Sequence, residues 1–332
     1  EITTFEVDST ASTLVETTAI ASSTNDSTPD YTFVSSEAGT ITYSGSCSSS
    51  TTSASAGTNT ITLNSLSEGT YSDCKITVTD SLGNAVTLNI GSFVIDGTAP
   101  AVSSINPSNN QTGVSVSENI SVTFYEEMDT TTITTNTSNT TCSGSFALSS
   151  NNFSTCVQMS SAPSSSNSDK TFTLDPSANL SGSTTYKTRV TTGVQDTAGN
   201  ALSSQYETST GFTTASYATA ISIGGFHTCA ILDNGSTKCW GDNGFGELGY
   251  GHTNKLGDNS SEMGDNLPVV DLGTGRTAKA ISAGQEHSCA ILDNASVKCW
   301  GRSLWGTLGD GSFSTDDNLG DNSSEMGDNL PV

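Results

Sequence analysis

The chain has 332 residues, of which 33% are hydrophobic and 7% aromatic; that is too little apolar material for one large core, and two or three thin-cored units of about 100 residues fit better. Only 13% of residues are charged, yet 34 acidic against 10 basic side chains give a formal charge of -24. Such a surface repels phosphate backbones and anionic headgroups, no Lys/Arg cluster offsets the repulsion locally, and no apolar run approaches the ~18 residues a membrane span needs, so nucleic acid and membrane insertion drop out.

Ser and Thr crowd the sequence, and helix-forming runs at a 3.6-residue period are absent. Short alternating segments such as "KITVTD", "ISVTFYE" and "KTFTLD" stand between Gly, Asn, Asp and Ser turns instead, the pattern of half-buried antiparallel strands. The expected fold class is all-β.

In chain order, "ITTFEVDSTASTL" at 2–14 is similar to "IGSFVIDGTAPAV" at 90–102, with Asp8 matching Asp96. The second copy has the form of a closing strand, a linker and a new opening strand. Residues 1–12 are therefore expected to be the last strand of a preceding domain, or a strand donated to a neighbouring molecule. The chain is expected to be a window from a longer one.

Residues 13–98 alternate strand runs with turns at the spacing of a sandwich. In "GTYSDCKITVTDSLGN" and the segment after it, Asp80 starts a hairpin turn and Gly83-Asn84 supply positive φ. With "FVIDGTAP", these residues resemble bacterial Ig-like domains of surface proteins. Residues 99–215 repeat the plan: "GVSVSENISVTFYEEMD", "TTYKTRVTTGVQDTAGNAL" and "GFTT" resemble a second bacterial Ig-like type found in S-layer and surface proteins, and Asp196 to Asn200 repeats the Asp-x-x-Gly-Asn turn.

Over 216–332, "HTCAILDNGSTKCWG" at 227–241 returns as "HSCAILDNASVKCWG" at 287–301. With the Leu-Gly close that follows each, the two copies resemble the regulator of chromosome condensation repeat, whose blades build a β-propeller. That resemblance implies tandem Ig-like β-sandwiches followed by two blades of an incomplete propeller.

Eight cysteines fall into four local pairs, Cys47 with Cys74, Cys142 with Cys156, Cys229 with Cys239 and Cys289 with Cys299. One pair per β unit indicates disulfides and an oxidising compartment; eight reduced, buried thiols are the alternative. If Asp233-Asn234-Gly235 is a three-residue loop with Gly235 left-handed, Leu232 faces Ser236 and Cys229 lies opposite Cys239, close enough to bridge. In the second copy Ala295 takes the glycine's place. Zinc on His227, Cys229 and Cys239 is the rival reading, but it lacks a fourth ligand nearby in sequence.

The loops "LGDNSSEMGDN" at 256–266 and 319–329 could offer Asp258, Glu262, Asp265, Asp321, Glu325 and Asp328 to calcium. They lack EF-hand spacing, and polar loops between blades are the plainer reading; no other metal and no cofactor is expected. The run Glu126, Glu127 and Asp129 is a weaker acidic candidate. With His227, His252 and His287 the only histidines, a Ser/His/Asp triad has almost no raw material, and no catalytic residues are assigned. The Asn-x-Ser/Thr sites, Asn25, Asn110, Asn136 and Asn152 among them, permit glycosylation without arguing for it.

The function expected is a non-catalytic, extracellular or cell-surface structural or adhesive protein. Ig-like spacers would present a propeller, self-assembly into a surface fibre could follow by strand exchange, and the partner would be a protein or a cell surface. The rival functions are a protein-binding propeller with a specific partner, and the non-catalytic part of a larger secreted enzyme.

Overall fold

The computed structural model describes residues 7, 9–311 and 317–332, so the strand expected over 1–12 lies largely outside the described residues. Among the described residues every regular element is a short strand or a single 3-10 turn, and the fold is all-β. Among the described residues no helix is long and apolar enough to cross a membrane. The chain divides into two compact units, one formed by residues up to 109 with 119–178 and 187–211, the other by 110–118, 179–186 and 212–332.

In the first unit, one sheet orders Leu14–Thr18, Asp30–Ser35 and Gly57–Thr62, and another orders Ser53–Ala54, Gly39–Ser44, Lys75–Thr79 and Ala85–Asn89. Alternation decides what each face buries: Tyr31 and Phe33 point inward from one sheet, Ile41, Ile76 and Val78 from the other, and Phe93 closes the core beside Cys47 and Cys74. Each such side chain contributes about 1.5–3 kcal/mol relative to exposure, enough for a thin core when a disulfide assists. The same unit holds a sheet of Val102–Asn106, Ile120–Phe124, Thr171–Leu174 and Ser164–Ser166, where Phe124 and Phe172 pack edge to face at 6.2 Å.

The Asp-x-x-Gly-Asn signature makes the same clamp twice. Asp80 Oδ1 accepts the Leu82 and Asn84 amides while Oδ2 accepts the Asn84 side-chain amide. Asp196 does the same with Ala198 and Asn200, and Gly83 and Gly199 both sit at φ 93°. The second clamp is also docked: the Asn25 amide donates to the Ala198 carbonyl, and Asn200 Nδ2 donates to the Asp96 carbonyl at 2.8 Å.

In the second unit two three-stranded antiparallel sheets follow one another, Ala218–Ile223, His227–Leu232 and Thr237–Gly241, then Ala278–Ala283, His287–Leu292 and Val297–Gly301. We call them the first and second blade. They share one apolar cluster that includes Cys229, Ile231, Leu248, Leu292, Trp300 and Met326.

Candidate functional site

Each blade hairpin turns as its sequence dictates. The Leu232 amide donates to the Ser236 carbonyl and the Gly235 amide to the Leu232 carbonyl, both at 2.8 Å, with Gly235 at φ 77°. Cys229 is thereby directly opposite Cys239, and the two are bridged with their Cα atoms 4.1 Å apart. The second blade repeats this through Ala295 at φ 66°, Cys289 and Cys299. Cys47–Cys74 and Cys142–Cys156 are likewise bridged, and no free cysteine remains. With both sulfurs bonded to each other, no thiolate pair is left for zinc at His227.

Side chains alternate across a strand, so each blade has two faces. On the first blade Cys229, Ile231, Thr237 and Cys239 form the rear face, and Ile221, Thr228, Ala230, Leu232, Lys238 and Trp240 the front. The equivalent residues of the second blade lie 60 positions on. Burial is complementary: Ile231 is 3% exposed but Ile291 45%, while Trp300, Leu292 and Ser288 are fully buried and Trp240, Leu232 and Thr228 half-exposed. The rear of the first blade is therefore covered by the front of the second, and one front and one rear face remain open.

The covered contact is a network of specific bonds. Ser288 Oγ donates to the Glu247 carbonyl at 3.1 Å and accepts from His227 Nε2 at 2.8 Å, which sets the Nε2–H tautomer. The Trp300 indole N–H donates to the same Glu247 carbonyl at 2.9 Å. The Ala283 amide donates to Ser222 Oγ, and the Gly225 amide to the Gly284 carbonyl. Burial pushes the His227 imidazole below its usual range, with His287 adding to the shift, and burial raises the Glu247 carboxyl. Glu247 Oε2 accepts the Phe245 amide at 2.8 Å. Buried partners of this kind fix the geometry of the contact.

Sequence reasoning missed Glu247 and Ser288. A hydroxyl follows the histidine in both copies, as Thr228 and Ser288, and that repetition was the available signal. Glu247 had none, because it acts through its backbone.

The six acidic loop residues are not gathered. Glu262 accepts its own loop's Gly257 amide, Glu325 accepts the Gly320 and Asn322 amides, and Asp328 takes the Thr274 amide and hydroxyl. Asp258 pairs with Lys255 at 3.5 Å, and among the described residues Asp265 and Asp321 stand outside any group of three ligand atoms. Among the described residues, the carboxylates that do converge are Asp96, Glu126 and Asp196, with ligand atoms within 4.8 Å of one another. These could hold a hard divalent cation, although Asp196 already accepts three N–H donors. Burial, then Asp196 and Asp96, raise the Glu126 carboxyl. Of the run singled out in sequence, Glu126 alone enters this cluster.

Exposed apolar side chains concentrate on the open front of the first blade and its adjoining loop: Ile221 is 62%, Ile223 75% and Phe226 72% exposed. A groove of about 260 Å³ there is lined by Ala230, Leu232, Lys238 and Trp240 among others. The open rear of the second blade carries a smaller one of about 190 Å³, lined by Val297, Cys299, Leu308 and Val332 among others.

Comparison with known proteins assigns both parts of the chain. A model of the bacterial Ig-like domain matches residues 96–214, and a model of the regulator of chromosome condensation (RCC1) repeat matches residues 218–247 and 278–304. The X-linked retinitis pigmentosa GTPase regulator homolog of Caenorhabditis elegans is 32% identical over 100 residues, 30% of this chain and 7% of that protein. The ultraviolet-B receptor UVR8 of Arabidopsis thaliana is 35% identical over 101 residues, 30% of this chain and 21% of that one. Each match thus spans a small part of the relative. The N-terminal part of the bacterial S-layer protein SbsC is similar at 15% identity and a TM-score of 0.26, over 60% of this chain and 42% of that one. The chain is accordingly an all-β protein in which a bacterial Ig-like domain is followed by regulator of chromosome condensation repeats.

Proposed function

We propose that this chain is a non-catalytic, extracytoplasmic protein-recognition protein, in which Ig-like sandwiches over 13–98 and 99–215 act as spacers and the repeats over 216–332 bind. One observation carries the reading: the apolar side chains of Ile221, Ile223 and Phe226 lie exposed together on the first blade and its adjoining loop. Apolar surface of that kind on an otherwise acidic, Ser/Thr-rich protein is a protein contact site. Four bridged cysteine pairs support an oxidising location, which favours a display role at or beyond the cell surface. The RCC1 repeat resemblance supports binding over catalysis.

The test is capture of surface proteins by the immobilised, oxidised chain. Ile223→Asp and Phe226→Asp change residues already exposed, so folding is retained, and both are expected to lose the captured protein. Tyr125→Asp, an equally exposed change outside the repeats, is expected to keep it. Equal capture by all three variants would overturn the reading.

A further inference from the structure

We infer that the cavity between the two repeats, beside Tyr250 and Asp271, receives an arginine side chain of a partner protein. The inference rests on the protein-recognition reading and names the chemical group that is recognised.

The cavity, of about 310 Å³, is lined by Tyr250, His252, Pro268, Asp271, Ser323 and Met326 among others. Three segments build it, and hydrogen bonds tie them to one another. The Gly251 amide donates to the Gly320 carbonyl and the Gly327 amide to the Asp271 carbonyl, both at 3.0 Å. The Tyr250 hydroxyl reaches the Pro268 carbonyl at 2.9 Å while accepting the Cys239 amide. A site bonded in this way is formed before its ligand arrives, which lowers the cost of binding. Met326 belongs to the apolar cluster shared by the two blades and gives the cavity an apolar wall.

The repeat does not by itself account for the lining. Gly249 and Gly251 recur as Gly309 and Gly311, all four at positive φ, and so belong to the shared scaffold. Tyr250 and His252 do not recur: Asp310 and Ser312 stand in their places. The two rings, 6.0 Å apart with planes tilted by 37°, are particular to this cavity.

Charge selects the ligand. Asp271 Oδ1 accepts the Gly273 amide at 2.9 Å, and among the described residues its carboxylate has no ion-pair partner. Two basic side chains beside Gly273 are committed elsewhere, Lys298 to the Gly327 carbonyl and Arg276 to Asp293. A carboxylate next to aromatic and apolar walls suits a cation on an apolar stem. The chain shows twice what surrounds a guanidinium. Arg189 lies 3.6 Å from the centre of the Phe153 ring and pairs with Glu207 at 3.0 Å; Arg302 lies 4.3 Å from that of Phe245 and pairs with Glu286. Tyr250 and Asp271 offer the same two elements to a guanidinium from outside, which stacks flat and bonds a carboxylate in a fork as an ammonium cannot. The excess of 34 acidic over 10 basic residues favours the approach of such a partner.

Nuclear magnetic resonance of the full oxidised chain tests it, with the capped peptide Gly-Gly-Arg-Gly-Gly as probe at about 0.15 M salt. The chain has three histidines, so the ring signal of His252 can be followed beside those of His227 and His287, which do not line the cavity. The arginine peptide is expected to move the His252 signal saturably, with a Kd of about 1 mM, and to leave the other two in place. The same peptide with citrulline, neutral but of like shape, or with lysine is expected to bind at least about tenfold more weakly. Asp271→Asn keeps an acceptor for the Gly273 amide but loses the charge, and is expected to weaken arginine binding at least about tenfold; unmoved His227 and His287 signals report that it stays folded. Asp258→Asn, in the same repeat but outside the cavity, is expected to bind as the wild type does. No saturable shift up to about 10 mM peptide, equal binding of the citrulline or lysine peptide, or an Asp271→Asn variant that binds like the wild type would overturn the inference. Absent peptide binding together with capture that still depends on Ile223 and Phe226 would overturn it while leaving the recognition reading intact.

Discussion

At the scale of single residues, the two blade hairpins pose one question with two answers. Gly235 and Ala295 occupy the same left-handed position, where an L side chain costs about 1–2 kcal/mol. A Cβ on Gly235 would also come within 2.7 Å of Thr277 Cβ. Gly235→Ala is therefore expected to cost more than the backbone term alone, and Ala295→Gly to stabilise by up to about 1 kcal/mol, both read from urea unfolding midpoints. His227 gives a pH dependence of definite sign. Its folded value lies below the usual 6.5, so the unfolded chain binds a proton that the folded blade refuses as pH falls through that value, and stability drops. Asp242 works against the depression without cancelling it. Glu247 acts in the opposite direction at lower pH: its raised folded value makes stability decline as pH rises through the interval above 4.5. Between about pH 7.5 and about 5.5 the wild-type midpoint is expected to fall, and His227→Gln, which can still bond Ser288, to flatten that fall.

At the scale of elements, the strand "HTCAIL" and its near-copy "HSCAIL" differ by one residue and yet bury opposite faces. What a substitution does thus depends on which copy carries it. Ile231→Asp places an unpaired carboxylate in the shared cluster and is expected to cost at least about 3 kcal/mol. Ile291→Asp is expected to cost under about 0.5 kcal/mol, and equilibrium unfolding of the two variants compares them directly. Strand alternation, the Asp-x-x-Gly-Asn turns and the opposition of Cys229 to Cys239 were legible in sequence, because each depends on residues fewer than a dozen apart. Which face of a blade is covered was not, since near-identical strands acquire different neighbours only after folding. The partners of the acidic loops were hidden for a related reason. Glu262 and Glu325 look like free ligands in sequence, but their carboxylates bind amides of their own turns. The convergence of Asp96, Glu126 and Asp196 was invisible because Asp196 lies a hundred residues beyond Asp96 in sequence.

At the scale of the whole molecule, the chain has few charged residues, thin cores and short strands, and its bridges compensate for what hydrophobic burial lacks. Each disulfide joins cysteines 27 or fewer positions apart, never the Ig-like part to the repeats. That placement has a mechanical meaning. A protein pulled from its ends can lengthen only by the chain free to straighten, and every bridge withholds the stretch between its cysteines, a sequence separation of 27 for Cys47–Cys74, 14 for Cys142–Cys156 and 10 in each blade. At about 3.3–3.6 Å per extended residue, reducing Cys47–Cys74 is expected to release roughly 90 Å of hidden length, measured as a longer unfolding step in single-molecule force spectroscopy with reductant than without. Under load the oxidised chain behaves as a tether with a built-in limit on its reach, and a change in redox state would change how far it stretches before its resting shape altered.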